Sequence, residues 1–237
     1  MRIALLGYGK MGKEIEKIAL SRGHQISLKV GSDNSHFSQE ALSDSDVAIE
    51  FSTPATAVHN ISTCFKGKVP VIVGTTGWYE EFESICAQCE QQQGGLFYAT
   101  NFSIGVNIFF EINKKLAQLM NHQPGYSASM SETHHIHKLD APSGTAITLA
   151  EQMIAELDNK SAWHLGTHEE NSSLPIDAIR LNEVPGTHSI SYESDVDRLE
   201  ITHAANSRKG FALGAVLAAE WMPEKQGVFT MQDLLQF

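Results

Sequence analysis

Apolar positions along this chain keep two rhythms in turn. A short run rich in strand formers, "RIALLG", ends in glycine and gives way to "GYGKMGKEIEKIALSRGH", where Ile15, Ile18 and Ala19 recur at helical spacing until Gly23. "QISLKV" reads as a second strand. "DVAIEFS" is a third, running into Thr53-Pro54, a cap followed by proline at the first helical position. "VPVIVGTTG" and "GGLFYATNFS" complete five strands alternating with helices over about a hundred residues, the pattern of a parallel doubly wound sheet whose ligands sit at the carboxyl ends of its strands.

The rhythm changes after Ser103. "IGVNIFFEINKKLAQLM" holds Ile104, Ile108, Ile112 and Leu116 at helical spacing. Strand-like runs follow, "YSASMSETHH", "DAIRLNEV", "HSISYES" and "DRLEITHAA", with one helix, "GTAITLAEQMIAEL", among them. Strands with few helices predict a smaller α+β domain with a mixed sheet. The apolar "FALGAVLAAEWM" is helical and is expected to return to the first domain. The division expected is therefore 1–103 completed by 212–237, and 104–211.

Composition narrows the partners. With 42% hydrophobic and 19% charged residues, the 237-residue chain is ordinary for a globular protein. A net charge of −11 argues against nucleic acid or an anionic membrane, since neither is drawn to an acidic surface. The opening "MRIALLGYGKMGKE" breaks its apolar run with glycines, and no stretch reaches the roughly 18 apolar residues of a membrane helix. A cytoplasmic protein is expected. Three cysteines, Cys64, Cys86 and Cys89, form no paired framework, and the Cys86/Cys89 pair reads as two neighbours on a helix.

Gly7, Gly9 and Gly12 form G-x-G-x-x-G between a strand and a helix, the context in which that pattern binds a dinucleotide. Gly7 permits the turn, Gly9 lets a pyrophosphate approach the backbone, and Gly12 lets the helix pack closely, while the helix start offers N–H groups to the phosphate. The second strand ends "KVGSDN", so Gly31 and Ser32 stand where a carboxylate would hold the ribose of NAD, with Lys29 and His36 near. NADPH should then serve at least as well as NADH. Gly74, Thr75 and Thr76, and Ala99, Thr100, Asn101 and Phe102, end the fourth and fifth strands and are expected to line the cofactor cleft.

"SETHHIHKLDAPSGTA" puts four basic side chains into five positions. Continued as a strand, it would place His135 and His137 on one face and His134 and Lys138 on the other. Three uses are open: a metal site, for which Glu132 is the one obvious further ligand; surface histidines; or anion binding with proton transfer. In the third, Lys138 and the histidines supply cations, and Ser143, Gly144 and Thr145 begin a helix that takes a carboxylate, which predicts a small dianionic substrate. No metal is assigned.

The run E-x-H-H-x-x-K-x-D-A-P-S-G-T resembles the signature of the dihydrodipicolinate (4-hydroxy-tetrahydrodipicolinate) reductases of bacterial lysine and diaminopimelate synthesis. The resemblance extends through "GYGKMG", "EFSTP", "VGTTGW", "ATNFSIGVN", "VPGTHSISY" and "RLEITHAANSRKGFALGA". It implies reduction of 4-hydroxy-tetrahydrodipicolinate by NADPH or NADH in a homotetramer, with 1–103 and 212–237 binding the dinucleotide and 104–211 binding the substrate and building the tetramer. It makes His134 the catalytic acid/base and Lys138 the proton donor, gives His135, Gly144 and Thr145 to the substrate with Ser143 close by, and gives Gly7, Tyr8, Gly9, Lys10, Met11, Gly12, Gly74–Thr76 and Ala99–Phe102 to the cofactor. The chain departs from the family pattern at Glu50, usually aspartate, at Asn182, often glycine, and at Gly31, where an acid is missing. Two rivals remain at this point: another two-domain dehydrogenase for a small anion, and a nucleotide-sensing regulator, which would carry a basic DNA-reading helix not visible here.

Overall fold

The computed structural model describes residues 1–31, 37–168, 172–207 and 209–237. The chain forms two compact units, Met1–Ile104 with Lys209–Phe237, and Gly105–Arg208.

In unit one, β1 (Arg2–Leu6), β2 (Gln25–Val30), β3 (Val47–Glu50), β4 (Val71–Val73), β5 (Gly95–Tyr98) and β11 (Gly227–Phe229) form a six-stranded sheet in the order β11-β5-β4-β3-β1-β2. Every pairing is parallel. Alternation along β1 divides the core. Ile3 and Leu5 join residues of α1 (Lys10–Ser21) and α6 (Lys209–Trp221) on one face, while Ala4 and Leu6 join those of α2 (Pro54–Lys66) and α3 (Phe82–Gln91) on the other. The strand order reverses at β1, so a crevice opens between the carboxyl ends of β1 and β3. Helix α6 is rich in small residues because it lies against backbone: a Cβ on Gly214 would stand 1.7 Å from the Phe102 carbonyl oxygen. Cys86 and Cys89 lie on α3, Cys89 buried.

In unit two, β6 (Ser127–His134), β7 (Ala162–Leu165), β8 (Ser173–Arg180), β9 (Thr187–Glu193) and β10 (Arg198–Ala204) form a mixed sheet ordered β10-β9-β6-β8-β7. Helices α4 (Ile104–Met120) and α5 (Gly144–Glu156) supply Val106, Phe109, Leu149 and Met153 to a core shared with Met130, Ile176 and Ile190 of the strands. Period two then does something further. On β6 the buried face reads Ala128, Met130, Glu132, His134, so the apolar stripe ends in two ionisable residues at the carboxyl end of the strand. Register sets His188 of β9 opposite Glu132, and Arg180 of β8 opposite His134.

The expected continuation of a strand through His137 and Lys138 is not what forms. β6 ends at His134, whose carbonyl accepts from Leu181 N at 2.8 Å, and Lys138 N turns back to His135 O at 3.1 Å. Ile136 N still reaches Asn182 O at 3.1 Å, but the chain then passes a cis Ala141-Pro142 bond into α5, where proline offers no ladder donor. His134 and Lys138 are therefore not face-mates of one strand. Asn182 has φ +45°, a left-handed conformation that asparagine tolerates better than most residues, which accounts for a position where glycine also fits.

Candidate active site

The crevice of unit one is a cleft of about 300 Å³ lined by Gly7, Tyr8, Gly9, Val30, Gly31, Phe51, Ser52, Thr53, Thr56 and Asn60. Gly7 has φ +105°, and a Cβ there would stand 2.0 Å from Phe51 O. The turn after β1 thus lies directly on the end of β3. Gly9 meets nothing within 4 Å of its Cβ position, so its backbone is open to a ligand, and it sits at the N-cap of α1 with no side chain bonded across that end. This open glycine cradle fits a dinucleotide pyrophosphate.

Tyr8 lines the cleft and donates its hydroxyl to Glu16, which also pairs with Lys29. Lys10 is exposed, and Met11 packs on the core of the sheet. Lys29 lies 4.9 Å from the Tyr8 ring centroid. Ser32, Asp33 and His36 lie outside the described residues.

The ends of β4 and β5 pack against the loop that follows β3. The Phe51 ring occupies the space a Cβ on Gly74 would need, 2.1 Å away, and stands 5.7 Å from the Phe102 ring. Phe102 is 2% exposed and Thr75 8%. Thr75 accepts from Ser52 N at 2.8 Å, which ties β4 to the loop after β3. Thr75 and Phe102 thus pack against the residues that follow β3, Thr75 through Ser52 and Phe102 through the Phe51 ring. Asn101 accepts from Ser103 N, and Thr76, Ala99 and Thr100 lie in the loops that follow β4 and β5. Glu50 is buried beneath the cleft, where desolvation raises its pKa against hydrogen bonds from Ser52 and Asn60.

The chemistry-bearing residues of unit two converge at the carboxyl end of β6. Glu132, 1% exposed, accepts from Ser143 N at 3.1 Å on both oxygens and from Arg180 at 3.3 and 3.4 Å on Oε1. Its Oε2 faces His134 Nδ1 at 3.5 Å and His188 Nε2 at 3.6 Å. Ser143 caps α5, its Oγ accepting from Ala146 N at 3.2 Å and lying 3.1 Å from His188 Nε2. Gly144 and Thr145 open that helix, and nothing stands within 4 Å of a Cβ position at Gly144, so a carboxylate can approach the backbone there.

Lys138 donates to both oxygens of Asp140 at 2.8 Å. Arg180 grips the same loop through the carbonyls of Lys138, at 3.3 Å, and Asp140, at 2.6 Å. His135 and His137 stand with ring centroids 6.2 Å apart, and His137 faces Glu183 at the surface. The structure thus brings His134, Ser143, Gly144 and the loop of Lys138 to one place, and adds Glu132, Arg180 and His188. The signal for the additions was the phase of the strands: Leu174-Ile176-Ala178-Arg180 and His188-Ile190-Tyr192 continue apolar stripes into polar ends, as β6 does.

Burial opposes the charged form of Glu132, but bonds from His188 and Ser143 and the charge of His134 overcome it and hold its pKa down at about 2. Burial lowers His134 to about 4; Glu132 works against this, and His188, Lys138 and Arg180 reinforce it. His134 is accordingly neutral at pH 7. Glu132, His134 and His188 offer three ligand-type atoms within 4.8 Å of one another. Both oxygens of Glu132 are already taken by N–H donors, one of them a guanidinium, which is the environment of a satisfied anion more than of a cation site.

Acid should expose these two shifts in sequence. Between pH 6.5 and 4 the unfolded chain binds a proton at His134 that the folded chain refuses, so stability falls as pH falls, by up to about 1.4 kcal/mol per unit. Glu132 adds a second loss between 4.5 and 2. Glu50, raised by burial, acts in the opposite direction above 4.5. Urea unfolding at pH 7, 5.5 and 4.5 is expected to show the first decline, and His134→Gln to flatten it; an equal slope in that variant would show that His134 is not its source.

Comparison with known proteins bears on both units. The family described as "Dihydrodipicolinate reductase, N-terminus" matches residues 1–102, and "Dihydrodipicolinate reductase, C-terminus" matches residues 105–235. A 4-hydroxy-tetrahydrodipicolinate reductase of Christiangramia forsetii is 48% identical over 99% of this chain and 98% of its own length. The enzyme of that name from Neisseria meningitidis serogroup C is 36% identical over 93% of this chain and 83% of its own. Among solved structures, a dipicolinate-bound dihydrodipicolinate reductase from Paenisporosarcina sp. TG-14 superposes with a TM-score of 0.75 over 97% of both chains at 22% identity, a likeness of fold.

Proposed function

This chain belongs to the dihydrodipicolinate reductase family, and from that membership we propose how its own residues reduce 4-hydroxy-tetrahydrodipicolinate, by way of dihydrodipicolinate, to tetrahydrodipicolinate. The step belongs to diaminopimelate and lysine biosynthesis. The observation that carries the residue assignment is the meeting of His134, the Lys138 loop and the start of α5 at one end of β6.

NADPH or NADH, when bound, supplies the hydride that adds at C4 of the ring after the 4-hydroxyl has left as water. The glycine cradle at Gly7–Gly12 holds the pyrophosphate, with the wall of Phe51 behind it. In unit two, the backbone of Gly144 and Thr145 takes one carboxylate of the small dianionic substrate, and His135 also binds the substrate. Lys138 offsets negative charge developing on the ring nitrogen and delivers a proton to that atom. Before substrate arrives its ammonium faces Asp140, so the dianion competes with Asp140 for it. His134, neutral at pH 7, accepts and relays a proton and leaves the donor's role to Lys138.

The division into a dinucleotide part, 1–103 with 212–237, and a substrate and oligomerisation part, 104–211, is proposed on the same ground. A homotetramer built through unit two is supported by the face of its sheet turned away from α4 and α5, where Ser129, Ser131, Asp177, Ser189 and Arg198 line a shallow groove. Cytoplasmic residence is supported by three free cysteines, and among the described residues no helix is long and apolar enough to cross a membrane.

The test couples the protein to dihydrodipicolinate synthase with pyruvate and aspartate semialdehyde and follows nicotinamide absorbance. Consumption is expected, with NADPH at least as effective as NADH, since no carboxylate stands at Gly31 and Lys29 lies beside the cleft residue Tyr8. A preference for NADH above about tenfold, roughly 1.4 kcal/mol, would overturn the cofactor reading.

A further inference from the structure

His134, Lys138 and Ser143–Thr145 lie close in sequence, yet a loop of this kind does not by itself hold three groups in fixed relation. One buried side chain touches all of their supports. Glu132 takes the Ser143 N–H on both oxygens, faces His134 Nδ1 and His188 Nε2 with Oε2, and receives Arg180 on Oε1. Arg180 continues from there to the carbonyls of Lys138 and Asp140.

We propose that Glu132 is the positioning residue of the reduction site: it sets the tautomer of His134, anchors the first turn of α5, and through Arg180 holds the loop that presents Lys138. This rests on the assignment of His134 and Lys138 to the chemistry.

Two physical arguments support it. A neutral imidazole carries its proton on one nitrogen only, and although His134 Nδ1 makes no hydrogen bond among the described residues, the negative charge of Glu132 Oε2 at 3.5 Å favours the proton on that side, leaving the lone pair on Nε2. Gly186 keeps the neighbourhood of that second nitrogen clear, since a Cβ at 186 would stand 3.1 Å from Nε2. The second argument is the fork of Arg180. A guanidinium can bond a carboxylate and two carbonyls at fixed angles, which a lysine ammonium cannot reproduce.

Glu132→Gln keeps the shape and removes the charge. Its kcat is expected to fall on the order of tenfold to a hundredfold while dinucleotide affinity, read by NADPH fluorescence, stays unchanged. The 15N spectrum of histidine-labelled protein should show the His134 resonance, assigned by its loss in His134→Gln, move away from the Nδ1–H form. Arg180→Lys should lower kcat with the His134 tautomer retained, and it carries the test should Glu132→Gln not fold. Wild-type kcat and KM in Glu132→Gln, an unmoved His134 tautomer, or a fully active Arg180→Lys enzyme would overturn the proposal. If Lys138→Ala and His134→Gln are themselves fully active, the site assignment fails; if they are inactive while Glu132→Gln is wild-type, positioning alone fails.

Discussion

Lys138→Ala is expected to lower kcat by on the order of a hundredfold or more, the scale for losing a positioned acid or charge stabiliser. The ammonium is placed by its neighbours: Asp140 holds the tip, and Arg180 holds the backbone on either side through the carbonyls of Lys138 and Asp140. Alanine leaves those carbonyl contacts intact, so the loop keeps its path and the loss falls on the chemical step. Steady-state rates in the synthase-coupled assay decide it. A variant with full kcat and only a raised KM would make Lys138 a carboxylate anchor, and the proton would then come from His134 or water.

Gly12→Ala should remove dinucleotide binding, by about a hundredfold or more in Kd, roughly 2.7 kcal/mol, and lower stability as well. Its Cβ would stand 2.2 Å from the Gly7 carbonyl oxygen, a backbone atom that cannot turn aside without opening the tight turn. Gly9→Ala is the control, because its Cβ meets nothing in the protein. That variant should unfold at the wild-type temperature and still bind dinucleotide less tightly, since the added methyl stands where the pyrophosphate must approach. Calorimetric titration with NADPH, with thermal unfolding alongside, separates the two effects. Equal affinity in all three proteins would place the cofactor elsewhere.

Much of this was legible in the linear chain. Unit one follows from apolar runs closed by glycine and from proline at the first position of α2, because those are local signals. β11 and β7 escaped the reading: a three-residue strand such as Gly227–Phe229 has no period of its own and is a strand because β5 offers it an edge. At the site, His134, Lys138 and Ser143 were readable since one segment carries them. Arg180 and His188 reach the same place only through register with β6, and their meaning depends on which face of the strand is buried. Thr75 and Phe102 are legible as residues that follow strands; that Ser52 and the Phe51 ring pack on them is a tertiary contact that spacing does not show.

Unit one is made from both ends of the chain, and this orders its birth. On the ribosome β1 to β5 emerge before residues 105–208, but α6, which shares a core with Ile3, Leu5, Ile49, Ile72 and Phe97, and β11, which pairs with the edge of β5, are translated after them. Between those moments the whole of 105–208 is synthesised and has all the partners of its own core. A nascent chain therefore carries a finished second unit together with an open, apolar half-sheet, the kind of surface that nascent-chain chaperones shield. A premature stop near Lys209 would make that transient state permanent.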